Sequence, residues 1–380
     1  MRILVNAGIL KSSGVCQVGR SFLHEFLNFP EHEYHVFVSA TMHEILKSER
    51  FPDNFKFYLF PRHPLYSLFS RHLFSCLRQY HRLEKEVDPD CIFTVFGPAW
   101  WKSRRAPALV GYASPYFVFE DSPYFRGISL LRRLQLKFEK LLFYLELRRE
   151  TKYYVVENEI TKERLSRFLS CPPDHIFVAN NTYSDFYANF KPGAQILPDR
   201  KPDEIRLFIP ALTQPHKNQA ILNGVIPILK EKDPARQYTF VTTLPGEAYS
   251  RLFAEDVRPS ILNLGRILPQ TCPQVYLESD FLFLPTLLEC FSASYPEAMK
   301  MERPILTSNL PFATDTCRDA ALYFDPVDPA DAAEKIVRLA SDPALQAELA
   351  SNGTKRLNDF MDAPTRAKTI LSILQQIRRP

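Results

Sequence analysis

Apolar and polar positions along the chain fall into two successive series of short apolar runs, each separated by stretches with helical spacing. Residues 2–7 form the first buried-strand run. KSSGVCQVGRSFLHEFL then passes from a loop into a helix whose apolar residues Val18, Phe22, Leu23, Phe26 and Leu27 recur every three or four positions. Strands are predicted at 34–39, 55–60, 91–96, 108–112 and 153–157, with a weaker one at 176–178. Residues 189–204 contain prolines and a glycine but no clear period. A second series follows, with strands predicted at 206–210, 238–242, 261–264, 281–284, 304–308 and 321–324, and mostly helix over 329–376. Alternation of this kind indicates α/β architecture with parallel sheets. The expected layout is an N-terminal Rossmann-like domain over 1–190, a linker over 191–204 and a second Rossmann-like domain over 205–360. A C-terminal helix over 361–380 would pack back on the first domain. The two sheets would face each other across a cleft, with ligand at the carboxyl ends of the strands.

A chain of 380 residues with 46% hydrophobic and 24% charged composition suits two globular domains. The net charge of +4 is too small to argue for nucleic acid. Seven scattered cysteines form no CxxC pair, and the start MRILVNAGIL reads as a strand rather than a signal peptide, which together suit a reduced cytoplasm. No histidine cluster suggests a metal, and the absence of G-x-G-x-x-G after the first strand argues against NAD or FAD. Neither a cofactor nor a metal is expected.

The chemistry concentrates in FLFLPTLLECFSASYPEAMKMERPILTSN. A buried strand ends at Pro285, a loop follows, and a helix is expected from about Ser294. Glu289 and Glu297, with seven residues between them, would then both point toward the end of the strand. The free amides of the helix start favour phosphate. Ser294 and Glu297 also fit a capping box, which would explain both residues without any ligand.

This stretch resembles the E-x7-E motif of family-4 retaining glycosyltransferases, read here as E-C-F-S-A-S-Y-P-E-A. RPILTSNL, DAALYFDP and the 342–360 segment are similar to the family's following elements, and FVANNTYSDFY resembles its stretch before the linker. The resemblance implies the GT-B fold and a hexosyl transfer from a UDP- or GDP-linked sugar to a glycan or lipid-linked acceptor, retaining and metal-independent, in cell-envelope polysaccharide synthesis. It implies that Glu297 holds the donor ribose, that Glu289 lies near the donor sugar, and that Phe291, Ser292, Ala293 and Ser294 set backbone amides on the sugar and diphosphate. Lys217 would neutralise the diphosphate, Gly265 and Ile267 would meet the base, and Gly14 would face the donor phosphate from a first-domain loop. The sequence departs from the family pattern at Leu212, where an arginine is usual, and at Cys290 and Ser292, where glycines are usual. A catalytically weak, nucleotide-sugar-binding subunit and a GT-B epimerase therefore stay open as alternatives.

Residues 122–149 carry seven basic and two acidic residues among leucines and aromatics. Two readings stand: a peripheral helix on an anionic membrane, or a core-packed helix with a basic solvent face. YSLFSRHLFSCLRQYHR, at 66–82, adds a second aromatic and basic patch.

Overall fold

The computed structural model describes residues 1–11, 13–60, 73–210 and 213–378. Leu212 and residues 66–72 of the second aromatic and basic patch lie outside the described residues. The chain divides into two compact units.

The first unit comprises Met1–Val118, Ser129–Asn181 and Met361–Pro380. Its strands are β1 (Arg2–Ala7), β2 (Glu33–Ser39), β3 (Phe55–Phe60), β4 (Cys91–Thr94), β5 (Ala108–Gly111), β6 (Tyr153–Val156) and β7 (Ile176–Val178). They form one seven-stranded sheet in the order β3-β2-β1-β4-β5-β6-β7. Every pairing is parallel, with Arg2 opposite Glu33 and Ala7 opposite Val38 at the centre. The central strands are covered on both faces, which is why residues 3–7 of β1 and all of β4 are buried without alternation. Gly111 is required where β5 meets the loop after β4: a Cβ there would sit 1.9 Å from the Val95 carbonyl oxygen.

The last helix, Ala363–Ile377, belongs to this unit and packs on the helix Ser13–Phe26. Its Ile370, Leu371, Ile373, Leu374 and Ile377 are buried, each contributing about 1.5–3 kcal/mol of transfer free energy as an upper bound. Arg366, fully buried on the same helix, donates to Glu25, Ser21 and Asn181 and lies 4.3 Å above the Phe22 ring. Asn180 instead donates to the Glu157 carbonyl at 2.9 Å.

The second unit comprises Phe119–Ile128 and Thr182–Phe360. Its strands are β8 (Glu204–Ile209), β9 (Gln237–Thr242), β10 (Ile261–Asn263), β11 (Phe281–Leu284), β12 (Ile305–Ser308) and β13 (Ala321–Phe324). They form a six-stranded parallel sheet in the order β10-β9-β8-β11-β12-β13. The units cut across a simple division at residue 190. Residues 182–190 go with the second because Tyr187 is buried against Tyr276 there, with ring centroids 6.1 Å apart.

Predicted strands and observed strands coincide to within two residues at their ends, and the central strands β1, β4, β8 and β11 are buried over most of their length. The helix over the basic stretch, Leu130–Glu150, starts at Ser129, whose hydroxyl accepts from the Arg132 amide. Its solvent face carries the expected basic residues, with Arg133, Lys137, Arg148 and Arg149 exposed, but it is apolar as well: Leu134, Phe138, Leu141 and Leu145 point outward, each more than half exposed. Among the described residues, no helix is long and apolar enough to cross a membrane.

Candidate functional site

In the second sheet the strand order reverses between β8 and its neighbour β11. Connections leave those two strands in opposite directions, so a crevice opens at their carboxyl ends, and ligands of open α/β sheets bind at such a point. The chain after β8 closes in a short turn, Pro215–Lys217, followed by Asn218 in the left-handed region at φ 54°. Asn218 Nδ2 donates to the carbonyls of Pro285 (3.1 Å) and Pro326 (2.7 Å). The His216 carbonyl accepts from the Leu287 amide (2.7 Å) and from Thr286 Oγ1 (3.2 Å). Loops following β8, β11 and β13 are thus stitched into one rim. Asp325 shapes the last of these, its carboxylate accepting from the Val327 amide at 3.0 Å.

That stitching brings Lys217 and Glu289 together. Lys217 Nζ donates to Glu289 Oε1, and the two side chains are only 15% and 13% exposed, so the pair is shielded yet still reachable. Beside it the His216 ring is pushed down to about 4, first by burial and then by the Lys217 charge, so its imidazole is neutral at physiological pH.

Glu297 lies in the helix Ser294–Lys300, whose first-turn amides have no partner within the helix. The capping box expected from Ser294 and Glu297 does not form. Ala293 occupies the N-cap position and no side chain caps the helix. Glu297 turns instead toward Tyr276, whose hydroxyl lies 3.4 Å from Oε2, and toward the Tyr187 hydroxyl. Burial raises its carboxyl to about 7, against the opposing pull of the two tyrosines. A carboxylate so held is receptive to a further pair of hydroxyl donors.

Phe291 and Ser292 are buried, Phe291 edge-to-face on Phe360 with ring centroids 6.0 Å apart. The Ser292 carbonyl accepts from the Tyr295 amide (3.2 Å) and that of Ala293 from the Glu297 amide (3.1 Å), turning the chain into the helix. Gly265, just beyond β10, has φ +70°, the conformation that favours glycine, and Ile267 is half-buried two residues on. Gly14 lies in the first unit, in the first turn of the helix Ser13–Phe26 rather than in a loop. A Cβ there would meet nothing within 4 Å, so no steric need for glycine exists at that position. Among the described residues, no group of three or more His, Cys, Asp or Glu is placed to hold a metal ion.

Residues 204–342 match the family model described as glycosyl transferases group 1. No curated protein matches the chain. Solved structures match over its whole length. A glycosyltransferase from Rickettsia africae has 15% identity and a TM-score of 0.70, covering 99% of this chain and 98% of that one. Anabaena HepE in complex with UDP also has 15% identity and a TM-score of 0.70, covering 99% and 100%. Sucrose-phosphate synthase from Thermosynechococcus elongatus has 15% identity and a TM-score of 0.67, covering 99% and 98%. The chain has the GT-B fold.

Several residues of the GT-B second unit escaped the sequence reading. Ser122 Oγ donates to the Leu287 carbonyl at 2.5 Å, and the Tyr124 ring stands edge-on to His216 with centroids 6.1 Å apart. Both come from Phe119–Ile128, far from the rest of the unit in sequence. Asn218, Tyr187 and Tyr276 position the rim and Glu297 through tertiary contacts. Only Asn218, in a turn directly after Lys217, carried a local signal, since asparagine tolerates a left-handed backbone.

Proposed function

We propose that this chain transfers a sugar from a UDP- or GDP-linked donor to a glycan or lipid-linked acceptor, with retention of anomeric configuration and without a metal. The observation that carries the reading is the shielded Lys217–Glu289 pair directly above the strand-order reversal of the unit that matches the group 1 model. HepE, a structural neighbour, has been solved with UDP and with UDP-glucose, which supports a nucleotide-sugar donor here.

The chemistry follows from charge. As the bond from the anomeric carbon to the diphosphate breaks, negative charge grows on the leaving oxygen. Lys217 supplies an ammonium in a water-poor setting, where one such contact lowers the barrier by about 2–4 kcal/mol. The backbone amides of Phe291, Ser292, Ala293 and Ser294, leading into the helix Ser294–Lys300, add N–H donors toward the sugar and diphosphate, the last of them at the positive end of the helix. Glu297 accepts hydrogen bonds from the donor ribose hydroxyls, and Glu289 borders the sugar. Gly265 and Ile267, just beyond β10 in the same unit, border the base.

A thermal-shift panel of UDP-, GDP- and ADP-sugars tests the reading. A true donor at one hundred times its dissociation constant stabilises by about 2.7 kcal/mol. The shifted donor, labelled in its sugar, should then release nucleoside diphosphate in the presence of acceptor. A panel in which no nucleotide sugar moves the melting temperature refutes it.

A further inference from the structure

The helix Leu130–Glu150 has two apolar faces where one would suffice. Its inner face is anchored by buried Leu136 and Leu147, with Phe143 against the rings of Phe117 (4.8 Å between centroids) and Trp100 (5.8 Å). At about 100° per residue, Leu134, Phe138, Leu141 and Leu145 fall on a single stripe opposite that anchor. Each of the four is more than half exposed, as are Leu130 and Leu131 at the helix start. The stripe runs for about 16 Å along the axis. A helix at the surface of a water-soluble unit normally turns polar residues outward, so this face is built to be covered.

Charge says by what. Arg133, Lys137 and Arg148 flank the stripe on one side and Arg149 on the other. The helix's acidic residues are turned away from it: Glu139 pairs with Arg132 at 2.8 Å, Glu146 pairs with Arg149 at 2.5 Å, and Glu150 is buried. A second copy of this chain, docked through the same patch, would set these cations against their own duplicates. An anionic lipid surface offers the reverse, with hydrocarbon for the leucines and phosphate for the basic rim.

We propose that the outward face of Leu130–Glu150 lies on an anionic lipid bilayer, with Leu134, Phe138, Leu141 and Leu145 entering the headgroup region and Arg133, Lys137 and Arg148 on its phosphates. This surface is in the first unit and does not depend on the donor reading of the second.

The test is co-flotation of the full chain with vesicles of phosphatidylcholine alone and of phosphatidylcholine mixed with phosphatidylglycerol. The native chain should float with the mixed vesicles and not with the neutral ones, and added salt should weaken binding. Each basic residue removed should cost about fivefold in partitioning, so R133Q/K137Q/R148Q should lose about a hundredfold. F138S/L141S should lose at least about tenfold. Both variants alter exposed positions, so their melting temperature and their response to a nucleotide sugar should match the native chain. Absence of flotation, equal binding to both vesicle types, or full binding by either variant would overturn the proposal. So would a native dimer that F138S/L141S splits, since a second copy would then be the occupant.

Discussion

Replacing Lys217 with alanine removes the charge that pairs with Glu289 at the rim of the second sheet. Two effects are expected. The first is on stability. Glu289, only 13% exposed at its side chain, is left without its cation. The cost lies between about 1 kcal/mol for surface pairs and about 3–5 kcal/mol for buried ones. The second is on turnover. If Lys217 meets the charge developing on the leaving diphosphate, its loss raises the barrier by about 2–4 kcal/mol, slowing transfer roughly thirty- to nine-hundredfold. The double variant Lys217→Ala/Glu289→Gln separates these effects, because it removes the stranded carboxylate without restoring an ammonium. Melting temperature should recover in the double variant while turnover stays low. The assay is release of nucleoside diphosphate from the donor found by thermal shift, at saturating donor so that weaker binding is not mistaken for slower chemistry. Native-like turnover in Lys217→Ala, or turnover regained in the double variant together with stability, would show the pair to be a structural clasp and would refute the diphosphate role.

Glu297 has a folded-state carboxyl raised from its ordinary 4.5 to about 7 by burial. The stability it contributes is therefore fully present below about pH 4.5 and is lost as pH rises through 7, so Glu297→Gln should gain heat stability over the native chain across that window. The gain is at most about 3 kcal/mol, because part of the side chain is accessible. An unchanged melting-temperature difference from pH 4.5 to 8 would contradict this. Glu150, buried in the first unit and raised to about 8, accepts from the Ala99 amide at 2.7 Å. Glu150→Gln keeps an acceptor for that amide and should be more heat-stable than the native chain at pH 8 but not at pH 4.5, as read by melting curves at both. Arg366→Leu strands Glu25, whose side chain is 5% exposed, and should cost about 3–5 kcal/mol, lowering the melting temperature and opening Ala363–Ile377 to limited proteolysis. An unshifted melting temperature would mean that the buried network is not what fastens this helix.

The sequence by itself determined the two α/β series, because a parallel strand covered on both faces must be a continuous apolar run, and that is a local property. Phe281–Leu284 followed by Pro285 announces a strand and its end without reference to any partner. The same locality made the loop and helix carrying Glu289 and Glu297 legible. What those residues touch was decided only by the tertiary structure. Lys217 and Glu289 are 72 positions apart and meet because β8 and β11, distant in sequence, are neighbours in the sheet. Ser294 and Glu297 have the spacing of a helix cap, yet Tyr276 and Tyr187 take the carboxylate. Phe119–Ile128 joins the second unit although the chain before and after it belongs to the first. The helix Leu130–Glu150 shows the limit most plainly: its period revealed a helix, but with apolar residues on both sides only packing could decide which face was buried.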